Sequence, residues 1–448
     1  MSSFSKKINH IFSFASRKKS NLLFVGLVLV ILFTALNAIY SSIFYAFSIG
    51  SGTFLFHGDL FADFFKFIFS YPYAENYIKE SYINLPNLLK EYAINNPYQG
   101  VAAFDNWGKK FSHLHVTPLT TLISLLLIDS FDFFGYLLTS IAVITLVFAS
   151  IFFSIKNFCT TRFEFYFLFL LFVLSYPFLF LVQRGNVFSF IATISLVFSY
   201  IFIKKNKIST AAFLVALAIN IRPNLIIFSP FIFWISNRHI KFIIFLFLYL
   251  GSQFFLSLLI CSGLYPDYTL TNFAKALTLY KELYVIGNWG VGFNTSIFGL
   301  LKVVALALNS IIKIDIRGVL EVLILLTGLM TIGLFFQLNY MYHKKKFNEI
   351  EFCYLLTATL MLGTTVIADY HLLIFIIPIM VIVNNYSVNL LLKKSSVLIF
   401  LTSCFVLSPF NYFLYAGIYF SEFLKTILVV ASCVYIITSS KGLKAKAD

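Results

Sequence analysis

Two carboxylates stand four positions apart in HGDLFADFFKFIFS, at Asp59 and Asp63, among phenylalanines suited to a membrane surface. The chain has only 18 acidic residues in 448, so a pair at an apolar boundary calls for a use. Desolvation lifts a carboxylate's pKa toward neutrality, which makes a general base able to take a proton from a sugar hydroxyl. One helical turn apart, the two acids can share a face and couple, one raising the pKa of the other. Arg184 in VQRGNVFSF and Arg222 in NIRPN are suited to bidentate contact with a phosphate, and His371 in IADYHLLIFIIPI can add a donor. Gln183, Asn186, Asn294 and Asp369 stand close to these in sequence or on the same expected face, as candidate substrate-binding groups. The chemistry that fits such a set is transfer of a group from a phosphate-bearing lipid. No metal is expected: the five cysteines are scattered without a C-x-x-C pair, and His113 and His115 are spaced i, i+2 with no third ligand. No cofactor is expected either.

Each of these residues also has a plainer role open to it. Asp59 and Asp63 can be helix-start acids that complement a macrodipole. Arg222 beside Pro223 can snorkel to any lipid headgroup. QRGN can be a tight turn with Asn186 as helix cap, and Asp369 a capping acid.

The elements that must position these groups are membrane helices. The chain is 60% hydrophobic and 11% charged, against about 25% charge in soluble domains. An all-α, polytopic transmembrane bundle is therefore expected, since helices satisfy their own backbone in lipid. The net charge of +15 gathers in short runs between apolar segments: the N-terminus, KKNK, NRHIK, HKKK and the C-terminal KGLKAK. That is the distribution of cytoplasmic loops, not of a nucleic-acid surface.

Apolar segments lie at about 21–47, 131–155, 164–182, 187–203, 240–262, 318–341, 350–367, 372–391, 395–413 and 416–438, with two shorter helices flanking IRPN. The resulting count is about twelve spans with both termini cytoplasmic. The basic N-terminus and first apolar run are read as a retained first helix, because the run is too long for a signal-peptide core. A single membrane domain, 1–448, then has two large non-cytoplasmic segments. One is 48–130, with interfacial helices and the candidate acids; the other is 263–317. Within them, 116–128 and 293–309 read as re-entrant or surface-lying helices. In this topology all the candidate residues emerge on one outer face.

The order of these pieces resembles the polyprenyl-phosphate-sugar-dependent glycosyltransferases of the GT-C superfamily, especially glycosyltransferase family 87. The matching elements are DFFKFIF from Asp63, NNPYQG, TPLTTLIS, RGN at 184–186, RPN at 222–224, NTS at 294–296 and DYHLLIF, across roughly residues 50 to 385. Two elements depart from the family pattern: Asn186 directly follows Gly185, and an arginine stands where a lysine is usual before the proline. The resemblance implies a catalytic base in the first outer loop, with Asp63 matching the family acid. It also implies a sugar on polyprenyl phosphate as donor, no metal, and inversion at the anomeric carbon.

The expected partners are that donor, a glycan or glycolipid acceptor such as O-antigen or lipopolysaccharide, and the bilayer, with no nucleic acid. The expected location is a bacterial inner membrane with the site facing the periplasm; the abundance of Phe, Asn, Lys and Ile fits an AT-rich bacterial genome. Two other functions remain open, a lipid-linked oligosaccharide transporter and an O-antigen polymerase or ligase. The first calls for internal symmetry and deep ionisable groups, the second for a large outer loop in the C-terminal half.

Overall fold

The computed structural model describes residues 20–36, 117–184, 186–264, 269–287, 294–312, 316–367, 369–384, 394–408, 413–415 and 418–442. The candidate acids Asp59 and Asp63, with most of the first outer segment, lie outside the described residues. In chain order the helices are α1 (Ser20–Leu36), α2 (Pro118–Phe134), α3 (Tyr136–Lys156), α4 (Arg162–Val173), α5 (Tyr176–Arg184), α6 (Val187–Lys204) and α7 (Ile208–Ile221). After a 3-10 turn at Pro223–Phe228 come α8 (Ser229–Ile235), α9 (His239–Leu264) and α10 (Leu270–Tyr280), which runs into a π-helical turn at Lys281–Ile286. Next are α11 (Ile297–Ile312), α12 (Ile316–His343) and α13 (Glu349–Gly363). A 3-10 turn at Asp369–Phe375 leads to α14 (Ile376–Asn384), α15 (Lys394–Val406) and α16 (Phe420–Gly442). A short antiparallel pair, β1 (Phe413–Tyr415) and β2 (Ile418–Tyr419), interrupts the otherwise helical architecture.

Local chemistry sets several helix boundaries. Thr161 and Glu164 form a capping box at the start of α4, and Asn348 and Glu351 form another at the start of α13. Thr117 caps α2, with Pro118 just inside it. Gly135, at φ +77°, separates α2 from α3, a backbone conformation that a residue with a Cβ rarely adopts.

Among the described residues four helices are long and apolar enough to cross a membrane: α3, α6, α9 and α12. There is a fifth if α4 and α5, bent by 55° at their junction, make one span. About twelve spans is not confirmed among the described residues. The reason is length: α13 has 15 residues, α15 has 13 and α14 has 9, against about 20 for a hydrocarbon core of about 30 Å. The piece at 116–128 also departs from expectation. It does not end at DSFD or lie on the surface, but continues to Phe134 and packs against α3, α7 and α9. The 293–309 piece forms α11, packed on α12, α13 and α16 with Lys302 buried inside.

Burial separates the helices into two classes. In α9 and α12 only 11% of the most apolar window is buried, whereas in α6 the share is 72%. The first two present their sides to lipid. Helices α13 and α14 are apolar and buried on every side, the mark of a bundle centre. A continuous core joins Leu23 of α1 to Ile436 of α16 through α6, α7, α13 and α14.

The basic runs meet at one end of the molecule. Lys204 pairs with Glu349 at 2.9 Å, and the Tyr200 hydroxyl donates to the same carboxylate at 2.7 Å. Lys205 donates to Asn157 at 2.8 Å. The Trp234 ring lies 5.7 Å from that of His239 and 5.2 Å from that of His343. Because α6 runs toward this end while α7 and α13 run away from it, Asn186, Arg222 and Thr364 fall at the other.

Candidate functional site

Arg222 stands at the break between α7 and the 3-10 turn. Pro223 forces the residue before it into extended backbone, φ −134° and ψ 92°, so the helix stops there. The guanidinium turns back onto α6: Nη2 donates to Ser189 Oγ at 2.7 Å and to Asn186 Oδ1 at 3.3 Å. Asn186 is fully buried and caps α6, its Oδ1 also accepting the Ser189 amide at 3.0 Å. RGN and RPN, expected on one outer face, are in physical contact across 36 residues. The capping role and the arginine-holding role fall on the same side chain. Among the described residues no carboxylate pairs with Arg222. Its bonds to neutral groups fix its direction without cancelling its charge.

Helix ends gather around it. The Thr117 side chain caps the N-terminus of α2 and donates to the Asn220 carbonyl, two residues before Arg222. Asn186 marks the N-terminus of α6. Asn224 donates to Thr364 Oγ1, just past α13, at 3.5 Å. Two of these ends, at Thr117 and Asn186, are N-termini with partial positive charge, whereas α7 and α13 end there with carbonyls of the opposite sign, so the preference for an anion rests on the guanidinium itself.

His371 lies in the 3-10 turn that packs against α5 and α6. Burial, and after it the charge of Arg222, hold its imidazole well below the ordinary histidine range, so the ring is neutral. Arg222, Asn186 and His371 are thus brought together. The backbone of α5 carries Gln183 and Arg184 to the same neighbourhood; their side chains, like that of Asp369, lie outside the described residues.

Asn294 forms a set of hydrogen bonds. Its Oδ1 accepts the amides of Ser296 and Ile367, each at 3.1 Å, while Nδ2 donates to the Thr365 carbonyl at 2.7 Å. The Thr295 amide donates to the Ile367 carbonyl at 3.2 Å. Ser296 Oγ accepts the Gly299 amide at 2.9 Å, capping α11. The NTS element therefore fastens the strand-like segment 364–367, which leads directly to His371. Asn294, Gly299 and Thr426 line a small cleft on that side.

Two buried cations were not assigned a role from sequence. Lys302 is 1% exposed and donates to the carbonyls of Val285 and Gly287 at the end of the π-helical turn; burial pulls its ammonium down to about 8. Lys425 on α16 is fully buried with its Nζ 5.4 Å from the Tyr176 ring centre, a cation–π contact. The signal for both was a lone lysine within an apolar run, in GLLKVVAL and SEFLKTILVV.

No family model, curated protein or solved structure matches this chain.

Proposed function

We propose that the chain is an integral membrane glycosyltransferase that moves a sugar from a polyprenyl-phosphate donor to a lipid-linked or surface glycan. The observation that carries this reading is Arg222, a guanidinium held by Ser189 and Asn186 at a junction of helix ends, with no carboxylate partner among the described residues. Such a group suits a bound phosphate, which it can meet with the donors on Nε and Nη1. Neutral His371 supplies a hydrogen bond there without adding charge.

In the reaction, Asp63, or Asp59 one turn earlier, removes the proton from the acceptor hydroxyl. That oxygen attacks the anomeric carbon from the face opposite the phosphate. The bond from the anomeric carbon to the phosphate oxygen breaks, the electron pair leaves on polyprenyl phosphate, and the configuration inverts. Charge growing on the leaving phosphate is stabilised by Arg222, with Arg184 as its expected companion. Gln183, Asn186 and Asp369 stay assigned to the substrate side, Asn186 by orienting Arg222. Asn294 acts through position, by holding the segment before His371. The basic end faces the cytoplasm of a bacterial inner membrane and Arg222 the periplasm.

The test is transfer from a synthetic polyprenyl-phosphate sugar by purified protein. Asp63→Asn is expected to abolish transfer while leaving insertion and the melting temperature unchanged; transfer at the wild-type rate would remove Asp63 from the mechanism. A second reading has one observation in its favour. The 55° break between α4 and α5 resembles the discontinuous helices at which transporters bind substrate. Translocation of a lipid-linked oligosaccharide in liposomes, with no glycosyl transfer, would select it.

A further inference from the structure

We propose that the basic end of the molecule carries a binding site for the phosphate headgroup of an anionic phospholipid, centred on Trp234. This inference does not rest on the transferase reading. Trp234 is fixed by donation from Nε1 to Asn339 Oδ1 at 2.9 Å, a contact across 105 residues. That bond gathers the start of α9 and the end of α12 around one indole, with His239 on one side and His343 on the other. His239 bonds through Nδ1 to the Phe233 carbonyl at 2.8 Å. A carbonyl only accepts, so Nδ1 carries a proton and the bond fixes the orientation of the ring against the indole. Arg238, Lys241 and Lys344 are exposed within a few residues of His239 or His343 in sequence, and the Lys344 Nζ lies 5.7 Å from the Tyr340 ring centre.

The carboxylates described at this end are committed elsewhere. Glu164 accepts from the Thr160 amide and hydroxyl, Glu349 is held by Lys204 and Tyr200, and Glu351 by Ser395 and the Asn348 amide. The cations around Trp234 therefore meet their counter-charge from outside the described chain. An apolar surface adjoins them. Ile240, Ile244 and Phe247 on α9 are 75%, 59% and 68% exposed, and Phe336 and Tyr340 on α12 are 66% and 58% exposed. A charged cluster directly beside a bare apolar wall, with an indole at the boundary, matches an amphiphile: phosphate on the cations and acyl chains on the helices. A free phosphate or an acidic polymer would use only half of that surface.

The experiment uses the full chain in zwitterionic phosphatidylcholine nanodiscs, with phosphatidylglycerol added in steps and bound lipid counted by native mass spectrometry. Phosphatidylglycerol is expected to raise the melting temperature by about 3 °C. The exposed-site variant Arg238→Ala/Lys241→Ala/Lys344→Ala is expected to weaken binding on the order of a hundredfold. Lys205→Ala/Lys207→Ala, on a different loop, should stay within about twofold of wild type. Equal lipid binding by the triple variant overturns the site. So does equal stabilisation by inorganic phosphate, or a preference for polyaspartate over phosphatidylglycerol. A photoreactive phosphatidylglycerol provides a readout in the wild-type chain: crosslinks at the Trp234 or His343 peptides support the proposal, and crosslinks confined to other peptides overturn it.

Discussion

At the scale of single residues, the arrangement of Arg222 separates charge from geometry. Arg222→Lys keeps the cation but cannot hold Ser189 and Asn186 while presenting a fork to phosphate. Binding of polyprenyl phosphate, followed by native mass spectrometry, should weaken roughly tenfold in Arg222→Lys and roughly a hundredfold in Arg222→Ala. His371 gives a prediction in pH. Its folded-state pKa lies well below the ordinary 6.5, so below that value the unfolded chain takes up a proton that the folded chain refuses. Stability contributed by neutral His371 is present above 6.5 and is lost as pH falls beneath it. His371→Gln should flatten the fall in melting temperature between about pH 7 and about pH 5. The types and positions of Arg222, Asn186 and His371 were legible in the sequence. That Asn186 both caps α6 and receives Arg222 was not, because nothing local in RGN states which distant donor completes it. Lys425 escaped for a related reason: its ring contact with Tyr176 joins helices far apart in the chain.

Elements pack closely where small residues allow it. Gly363 at the end of α13 lies against α12 so tightly that an added Cβ would sit 2.2 Å from Thr331 Oγ1 and 2.9 Å from its Cβ. Gly363→Ala should cost about 1–3 kcal/mol in thermal or denaturant unfolding, and Thr331→Ala should recover most of that loss in the double variant. The clasp made by Asn294 is sensitive in another way. Asn294→Ala strands the buried amides of Ser296 and Ile367, with an expected loss of about 2–4 kcal/mol. The sequence revealed the approximate limits of most helices, because apolar run length and basic punctuation report directly on burial and loops. It misjudged α2, where Asp129 and Asp132 read as a helix end. Tertiary packing against α9 and α7 carries the helix past both acids. Span number is harder to read from sequence, since an apolar run fits a short buried helix as well as a membrane crossing.

The whole molecule is polarised in charge, and its longest helix makes that testable. Helix α12 has 28 residues, about 42 Å at 1.5 Å each, with Arg317 exposed near one end and Lys345 just beyond the other. In a cysteine-free background, an impermeant maleimide should label Arg317→Cys on intact cells and Lys345→Cys only in inverted vesicles. Labelling of both from the same side would contradict the orientation of the proposed site. The clasp between Asn294 and Ile367 has a consequence for biosynthesis. Its halves are 73 residues apart, so at the usual pace of translation the first waits roughly 4 to 15 s for the second to leave the ribosome. A nascent chain halted before residue 367 therefore carries Asn294 with no segment yet to fasten, and the turn that bears His371 has still to be made.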